Sequence, residues 1–338
     1  MKKIISILLV LALVLGAFAA CAKTETKPET EQPQTPAVEE GAVLRLASLK
    51  GPTTMGLVKL LSDAEAGTLG YTVDSTIYGT ADELTGLLVN GDIDAAAIPA
   101  NLASVLYNKT KGAIKVAAIN TLGVLYIVEN GETIQSVADL KGKTIYATGK
   151  GTTPEYALRS VLTWNGIDPD TDVTIEYKSE ATEVAAMLTD ENAGEAIAML
   201  PQPYVTTVLL QNPKVRIALD LTEEWKNASG KELVTGVLVV RSDYLDSNPG
   251  AFTQFLADYK ASTEYVNANP ADAAALIEKY GIVAKAAVAE KALPYCNITF
   301  IEGSDMRALL ENYLTVLSEQ NMSSIGGALP DDGFYYGA

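Results

Sequence analysis

The sequence predicts an α/β protein built as two domains, each a mixed sheet flanked by helices. Three observations carry that expectation. Short apolar runs alternate with helical patterns along the body. The stretch after residue 42 is nearly three hundred residues long, too long for one ordinary small domain. The chain is 48% hydrophobic, ample for real cores.

Taken in order, residues 43–49 read as a strand, which Gly51, Pro52, Thr53 and Thr54 break before a helix over 55–64. A second strand spans 71–77, a helix 81–90 and a third strand 94–98. Pro99, Ala100 and Asn101 then open a helix to about Tyr107. Residues 114–120 and 123–128 complete the first sheet and lead out of it. The next domain opens with a turn over 137–143 and a strand over 144–147. A Gly-rich loop, 149–154, enters a helix over 155–165 that Gly166 and Pro169 stop. A strand over 173–177, a helix over 180–188 and a strand over 195–200 follow. Pro201, Gln202 and Pro203 start a helix to Gln211, and 215–219 is one more strand. The apolar, β-branched run 236–241 is expected as a buried strand. From Tyr244 onward the pattern is helical, and the aromatic tail over 330–338 is expected to close the body as a loop.

The N-terminus reads as a secretory signal. Lys2 and Lys3 precede an apolar run over 4–18, too short for a comfortable bilayer span of roughly 20 residues. Phe18, Ala19, Ala20 and Cys21 resemble a bacterial lipobox, in which the cysteine is acylated and becomes the new N-terminus. Residues 1–20 are thus expected to be a signal peptide. Residues 21–42, with lipidated Cys21 and a polar run of Thr, Glu, Pro, Gln and Lys, form a tether that builds no core. The expected location is the outer face of the cell membrane.

Composition narrows the function. The formal net charge of −17 argues against nucleic-acid binding, which needs a basic footprint. There is no histidine, which removes His-based triads, imidazole metal sites and His proton shuttles. Cys296 has no intrachain partner once Cys21 is acylated, and is expected to be a buried small hydrophobe. Asp92 and Asp94 read as turn residues. Asp168, Asp170 and Asp172 lack the Glu-closed loop of an EF-hand, so no metal and no cofactor is expected.

Ligands of open α/β sheets sit beyond the carboxyl ends of the strands, where helix N-termini converge. Four strand-to-helix junctions have that character. Lys50, Gly51, Thr53 and Thr54 follow the first strand, and Pro99 and Asn101 the third. Thr152 and Thr153 lie in the Gly-rich loop, and Gln202 sits between two prolines. Unpaired N–H groups at helix starts suit polar or anionic groups, while Thr and Asn are also good N-caps. Asn120, Thr121 and Gly236 complete the candidate set; Lys150, Tyr78 and Tyr126 are weaker candidates.

The stretch 84–95, ending Asn90-Gly91-Asp92-Ile93-Asp94-Ala95, is similar to a helix-then-G-x-[VI]-D-[AV] segment of periplasmic binding proteins. Residues 136–145, with Asp139-Leu140-Lys141-Gly142-Lys143, are similar to the turn that opens their second lobe. Residues 236–241 and Asn248-Pro249-Gly250-Ala251-Phe252 resemble their return strand and following helix. Over 43–320 the chain thus resembles ABC-transporter substrate-binding proteins of the SsuA/TauA/THI5-like group.

The resemblance implies a two-lobed type II binding-protein fold with a ligand cleft between the lobes. Lobe 1 would be 43–127 plus 221–338 and lobe 2 128–220, with hinge segments near 126–130 and 218–222. It implies a monomer that passes a small solute to ABC permease subunits without covalent chemistry. The group is associated with nitrate, sulfonates, taurine and pyrimidine or thiamine precursors. A ligand-sensing lipoprotein without transport, or a biosynthetic enzyme on this fold, are the rival readings. The enzyme reading lacks the histidine that the pyrimidine-making relatives need.

Overall fold

The computed structural model describes residues 36–190 and 194–338. The expected signal peptide, Cys21 and the tether as far as residue 35 lie outside the described residues. Among the described residues no helix is long and apolar enough to cross a membrane.

The chain runs β1 (Val43–Leu49), α1 (Pro52–Met55), α2 (Val58–Glu65), β2 (Thr72–Tyr78), α3 (Ala81–Asn90), β3 (Ala95–Pro99), α4 (Ala100–Thr110) and β4 (Ile114–Thr121). It continues with β5 (Leu125–Asn130), β6 (Thr144–Ala147), α5 (Thr153–Trp164), β7 (Thr174–Tyr177), α6 (Ala181–Thr189), β8 (Ala196–Pro201), α7 (Tyr204–Gln211), β9 (Val215–Asp220) and α8 (Leu221–Ser229). The return comprises β10 (Gly236–Arg241), α9 (Ser242–Ser247), α10 (Pro249–Ala268), α11 (Pro270–Lys279), α12 (Ala286–Ala292), β11 (Ile298–Ile301) and α13 (Gly303–Gln320).

Two mixed sheets result. The first has the order β11-β4-β10-β3-β1-β2 and the second β7-β6-β8-β5-β9. In the first, β2, β1 and β3 run parallel, and β10 lies antiparallel between β3 and β4. In the second, β7, β6 and β8 run parallel, and β5 is antiparallel to both β8 and β9. Strands β3 and β10 are apolar on both faces because helices cover both, so their sequences read as continuous runs, not alternations. Edge strand β2 exposes Thr72, Asp74, Ser75 and Thr76, a polar rim that discourages pairing with another chain.

Two elements depart from the sequence expectation. The region after Tyr244 is not wholly helical: β11 adds an antiparallel edge strand beside β4. Helix α8 lies where the sequence offered no element, capped by Asp220, whose carboxylate accepts from the N–H groups of Thr222 and Glu223. The links between the sheets are residues 122–124 and 221–235, the second of which carries α8. The expected hinge segment 126–130 lies within β5, next to the first link, and 218–222 spans the end of β9 and the start of α8, where the return link begins.

One core joins the two sheets, running from Ile119 and Val237 through Ile127 and Ile145 to Trp225 and Tyr313. The tail crosses the first sheet, where the N–H of Tyr336 donates to the Val116 carbonyl at 2.8 Å and Phe334 is fully buried. Near β1 the entering chain is pinned to α10: Glu39 accepts from the N–H groups of Gly250 and Ala251 at 2.9 and 2.8 Å. Those two bonds hold the Glu39 carboxyl below the usual carboxylate range. Position 250 must be glycine, because a Cβ there would sit 1.9 Å from the carbonyl oxygen of Ala37.

Candidate functional site

Every parallel strand of both sheets ends at the same cavity. Its volume is about 430 Å³. From the first sheet it receives Leu49 and Thr53 after β1, Gly79 and Thr80 after β2, Pro99 at the end of β3 and Thr121 at the end of β4. From the second it receives Thr148 and Thr152 after β6, Lys178 and Glu180 after β7, and Pro201 and Tyr204 after β8. Val124 and Leu125 form the wall where the chain crosses from one sheet to the other. The rims meet at Gly79 and Glu180, where a Cβ on Gly79 would lie 3.2 Å from a Glu180 carboxylate oxygen.

Several of the residues expected from sequence are here. Lys50, Thr53, Pro99, Thr121 and Thr152 line the cavity, as does Lys150. The Thr53 hydroxyl donates to the Leu49 carbonyl at 2.9 Å, and that of Thr152 to the Gly149 carbonyl at 2.7 Å. Thr235, just ahead of β10, also lines it, and its buried hydroxyl has no hydrogen-bond partner among the described residues.

The others do not line it. Thr54 is fully buried and donates back to Leu49. Gly51 takes a φ of 133°, which lets the chain turn from β1 into α1. Asn101 and Thr153 form a buried network: Thr153 donates to the Asn101 side-chain oxygen, and Asn101 donates to the Gly151 and Ser324 carbonyls. Gln202 turns back to accept from the N–H and hydroxyl of Thr206, capping α7. Asn120 is buried and accepts from Thr121 at 3.0 Å. Gly236 stands behind the wall; a Cβ there would meet Asn120 at 2.5 Å and Thr53 at 2.7 Å. Its smallness lets Thr53 reach the cavity. Tyr126 packs in the second sheet's own core, and Tyr78 packs against the larger one.

Sequence reasoning missed the β2–α3 and β7–α6 junctions. Both carry a readable signal, a capping box of Thr80 with Glu83 and of Glu180 with Glu183. Tyr204, which closes the fourth junction seen in the sequence, lines the cavity, and its hydroxyl is pushed up by burial and then by the neighbouring Glu180 charge.

Other flagged groups are accounted for elsewhere. Asp94 is buried and accepts from the Arg45 N–H and guanidinium. Asp170 pairs with Arg159 and Asp172 with Lys141. Cys296 is fully buried, which pushes its thiol up. No cluster of acidic or cysteine side chains placed for a metal ion occurs among the described residues.

The family model described as NMT1/THI5 like matches residues 105–273. No curated protein sequence matches. Among solved structures, an ABC transporter protein from Parabacteroides distasonis is 23% identical over 87% of this chain and 98% of its own, with a TM-score of 0.70. The sulphonate-binding protein SsuA of Escherichia coli is 19% identical over 87% of this chain and 92% of its own, TM-score 0.69. The alkanesulfonate-binding SsuA of Xanthomonas axonopodis, bound to MOPS, is 17% identical over 86% and 96%, TM-score 0.68. At these identities the likeness establishes the fold: two mixed α/β lobes of the type II binding-protein kind.

Proposed function

This chain belongs to the NMT1/THI5-like family, and from that premise we propose that it is the extracytoplasmic solute-binding lipoprotein of an ABC importer. The observation that carries the reading is the cavity shared by both sheets, with polar loop tips from each lobe facing the same space. A solute that bridges the tips stabilises the closed arrangement over the open one, and that difference in affinity is what a permease reads. We place the hinge in residues 122–124 and 230–235, where the chain passes between sheets without strand pairing. No covalent step is asked of the protein, which acts as a monomer.

A solute at about a hundredfold excess over its dissociation constant stabilises the folded state by about 2.7 kcal/mol. For a body of this size that is a rise in melting temperature of roughly 5–10 °C. Small-angle scattering should report a smaller radius of gyration on adding the same solute. Unchanged melting and scattering across a broad panel of transported small molecules would remove the binding reading.

Cys21 carries the anchor in this proposal, because a residue bearing acyl chains holds to a bilayer through roughly 0.8 kcal/mol per buried methylene. Cys21→Ser should move the protein from the membrane fraction to the soluble one. Retention of the serine variant in the membrane would refute the anchor.

A further inference from the structure

The edge strands β2 and β7 leave their sheets through turns of the same kind. Each strand is followed by a bend residue, an extended N-cap and a capping box. Gly79, Thr80 and Glu83 at the head of α3 thus correspond to Ser179, Glu180 and Glu183 at the head of α6. The two N-caps have nearly the same backbone, with φ −131° and ψ 154° at Thr80 and φ −131° and ψ 151° at Glu180. Differences in residue type between the turns therefore do not come from the turn itself.

There are two such differences at the facing positions. Position 79 is glycine, although its backbone is not in the left-handed region and the matching position carries serine. Glycine loses more chain entropy on folding than any other residue, so one that its own backbone does not require needs another cause. Position 180 is glutamate at an N-cap, where Ser, Thr, Asp and Asn are favoured and where the matching position carries threonine.

One contact across the mouth accounts for both. A Cβ on Gly79 would lie 3.8 Å from Glu83 Oε1 of its own lobe, which is ordinary van der Waals contact. It would lie only 3.2 Å from Glu180 Oε1 of the other lobe. Glu180 Oε2 accepts from the Thr182 hydroxyl at 3.0 Å, while Oε1 faces Gly79. The absent side chain and the long one fit each other. The contact does not tie the rims together. Among the described residues no hydrogen bond crosses between these two turns, and the groups that face each other, Glu83 and Glu180, are both carboxylates. Like charges repel, so the attraction that shuts the cleft has to come from what the cavity holds.

We infer that Gly79 and Glu180 are positioning residues for solute capture. Glu180 comes to rest on the bare backbone of Gly79 when the lobes close, and this seat sets how far the cleft shuts without holding it shut. The inference rests on the binding reading above and deepens it, by assigning the closed limit to one pair of residues. A side chain at position 79 props the rims apart, and a shorter side chain at position 180 makes room for it.

Trapping the closed rims tests this with no solute present. In the Cys21→Ser chain the remaining cysteine, Cys296, is fully buried. Asp82→Cys and Ser179→Cys, both at exposed positions, then put one thiol on each rim, and a short bismaleimide joins them when the rims meet. Gly79→Gln in that chain should slow cross-linking about tenfold, the effect of overpacking a contact. Adding Glu180→Ser, which keeps a good N-cap and withdraws the carboxylate, should restore most of the rate. Gly79→Gln should melt within about 2 °C of its parent, because nothing in its own lobe opposes the new side chain. Equal trapping with and without Gly79→Gln overturns the inference, as does no trapping in either chain. Slowing that Glu180→Ser does not relieve breaks the pairing of the two residues. A Gly79→Gln chain that melts many degrees lower shows that its own lobe demands the glycine, and overturns the inference too. Each of these results leaves the binding reading standing, because that reading is decided by solute-dependent melting and scattering.

Discussion

Replacing Trp225 with alanine should cost the folded body about 3–5 kcal/mol, the range for deleting a fully buried large aromatic. Trp225 sits on α8 and is 0% exposed. Its ring centroid lies 5.0 Å from Trp164 of α5 and 5.7 Å from Tyr313 of α13. Three helices from different parts of the chain therefore meet on one side chain: α5 follows β6 of the second sheet, whereas α13 follows β11 of the first. Truncation leaves a cavity that none of the three can close without abandoning its own sheet, so relaxation recovers little. The expected fall in melting temperature is roughly 10 °C at 2–4 °C per kcal/mol. Trp225→Phe should lose much less, because it keeps an aromatic ring in the cluster and the tryptophan's indole N–H has no hydrogen-bond partner among the described residues. A melting temperature for the alanine variant within a degree or two of wild type would show that the aromatic cluster does not tie the lobes together.

Why α8 escaped the sequence reading is instructive. Its cap is legible, since Asp220 followed by Thr222, Glu223 and Glu224 has the form of a helix start. The segment beyond is mostly polar, and Leu221 and Trp225 are its buried residues. Periodicity therefore barely registers, although one residue supplies a large share of the packing. β11 escaped for a different reason. Four residues bounded by turns carry no period of their own, and their pairing with β4 is a contact across most of the chain. By contrast β3 and β10 were plain, because a strand covered on both faces must be apolar at each position whatever its partners are.

The candidate site shows the same division. That the junctions after β1, β3, β6 and β8 would gather at one place follows from strand order and the right-handed crossover between parallel strands. Which of two adjacent threonines faces the ligand does not. Thr53 and Thr54 both donate to the same carbonyl, yet Thr53 is half-buried at the cavity and Thr54 is sealed in the core. The phase of a one-turn helix, and the absence of a side chain at Gly236 behind it, decide between them. Neither is written in the local residue types.

Asn101 shows what that phase produces when it points inward, and its removal is expected to be nearly as costly as that of Trp225. The side chain is fully buried. It donates to the Ser324 carbonyl at 3.0 Å and the Gly151 carbonyl at 3.3 Å, and accepts from Thr153, whose oxygen in turn accepts from Tyr313 at 2.9 Å. First-lobe helix α4, the Gly-rich loop of the second lobe and the C-terminal segment are thus joined through one amide. Asn101→Leu fills the space but leaves two carbonyls and a hydroxyl without partners, at about 1–3 kcal/mol for each buried group left unmade. A total loss near 3 kcal/mol is expected. Thr153→Val on the same background should cost less than it does alone, because of its two bonds only the one accepted from Tyr313 is left to break. Chemical denaturation of the two single variants and the double variant measures this directly. If the two losses simply add, Asn101 and Thr153 act independently, and the buried amide is not the joint that holds the loop against α4.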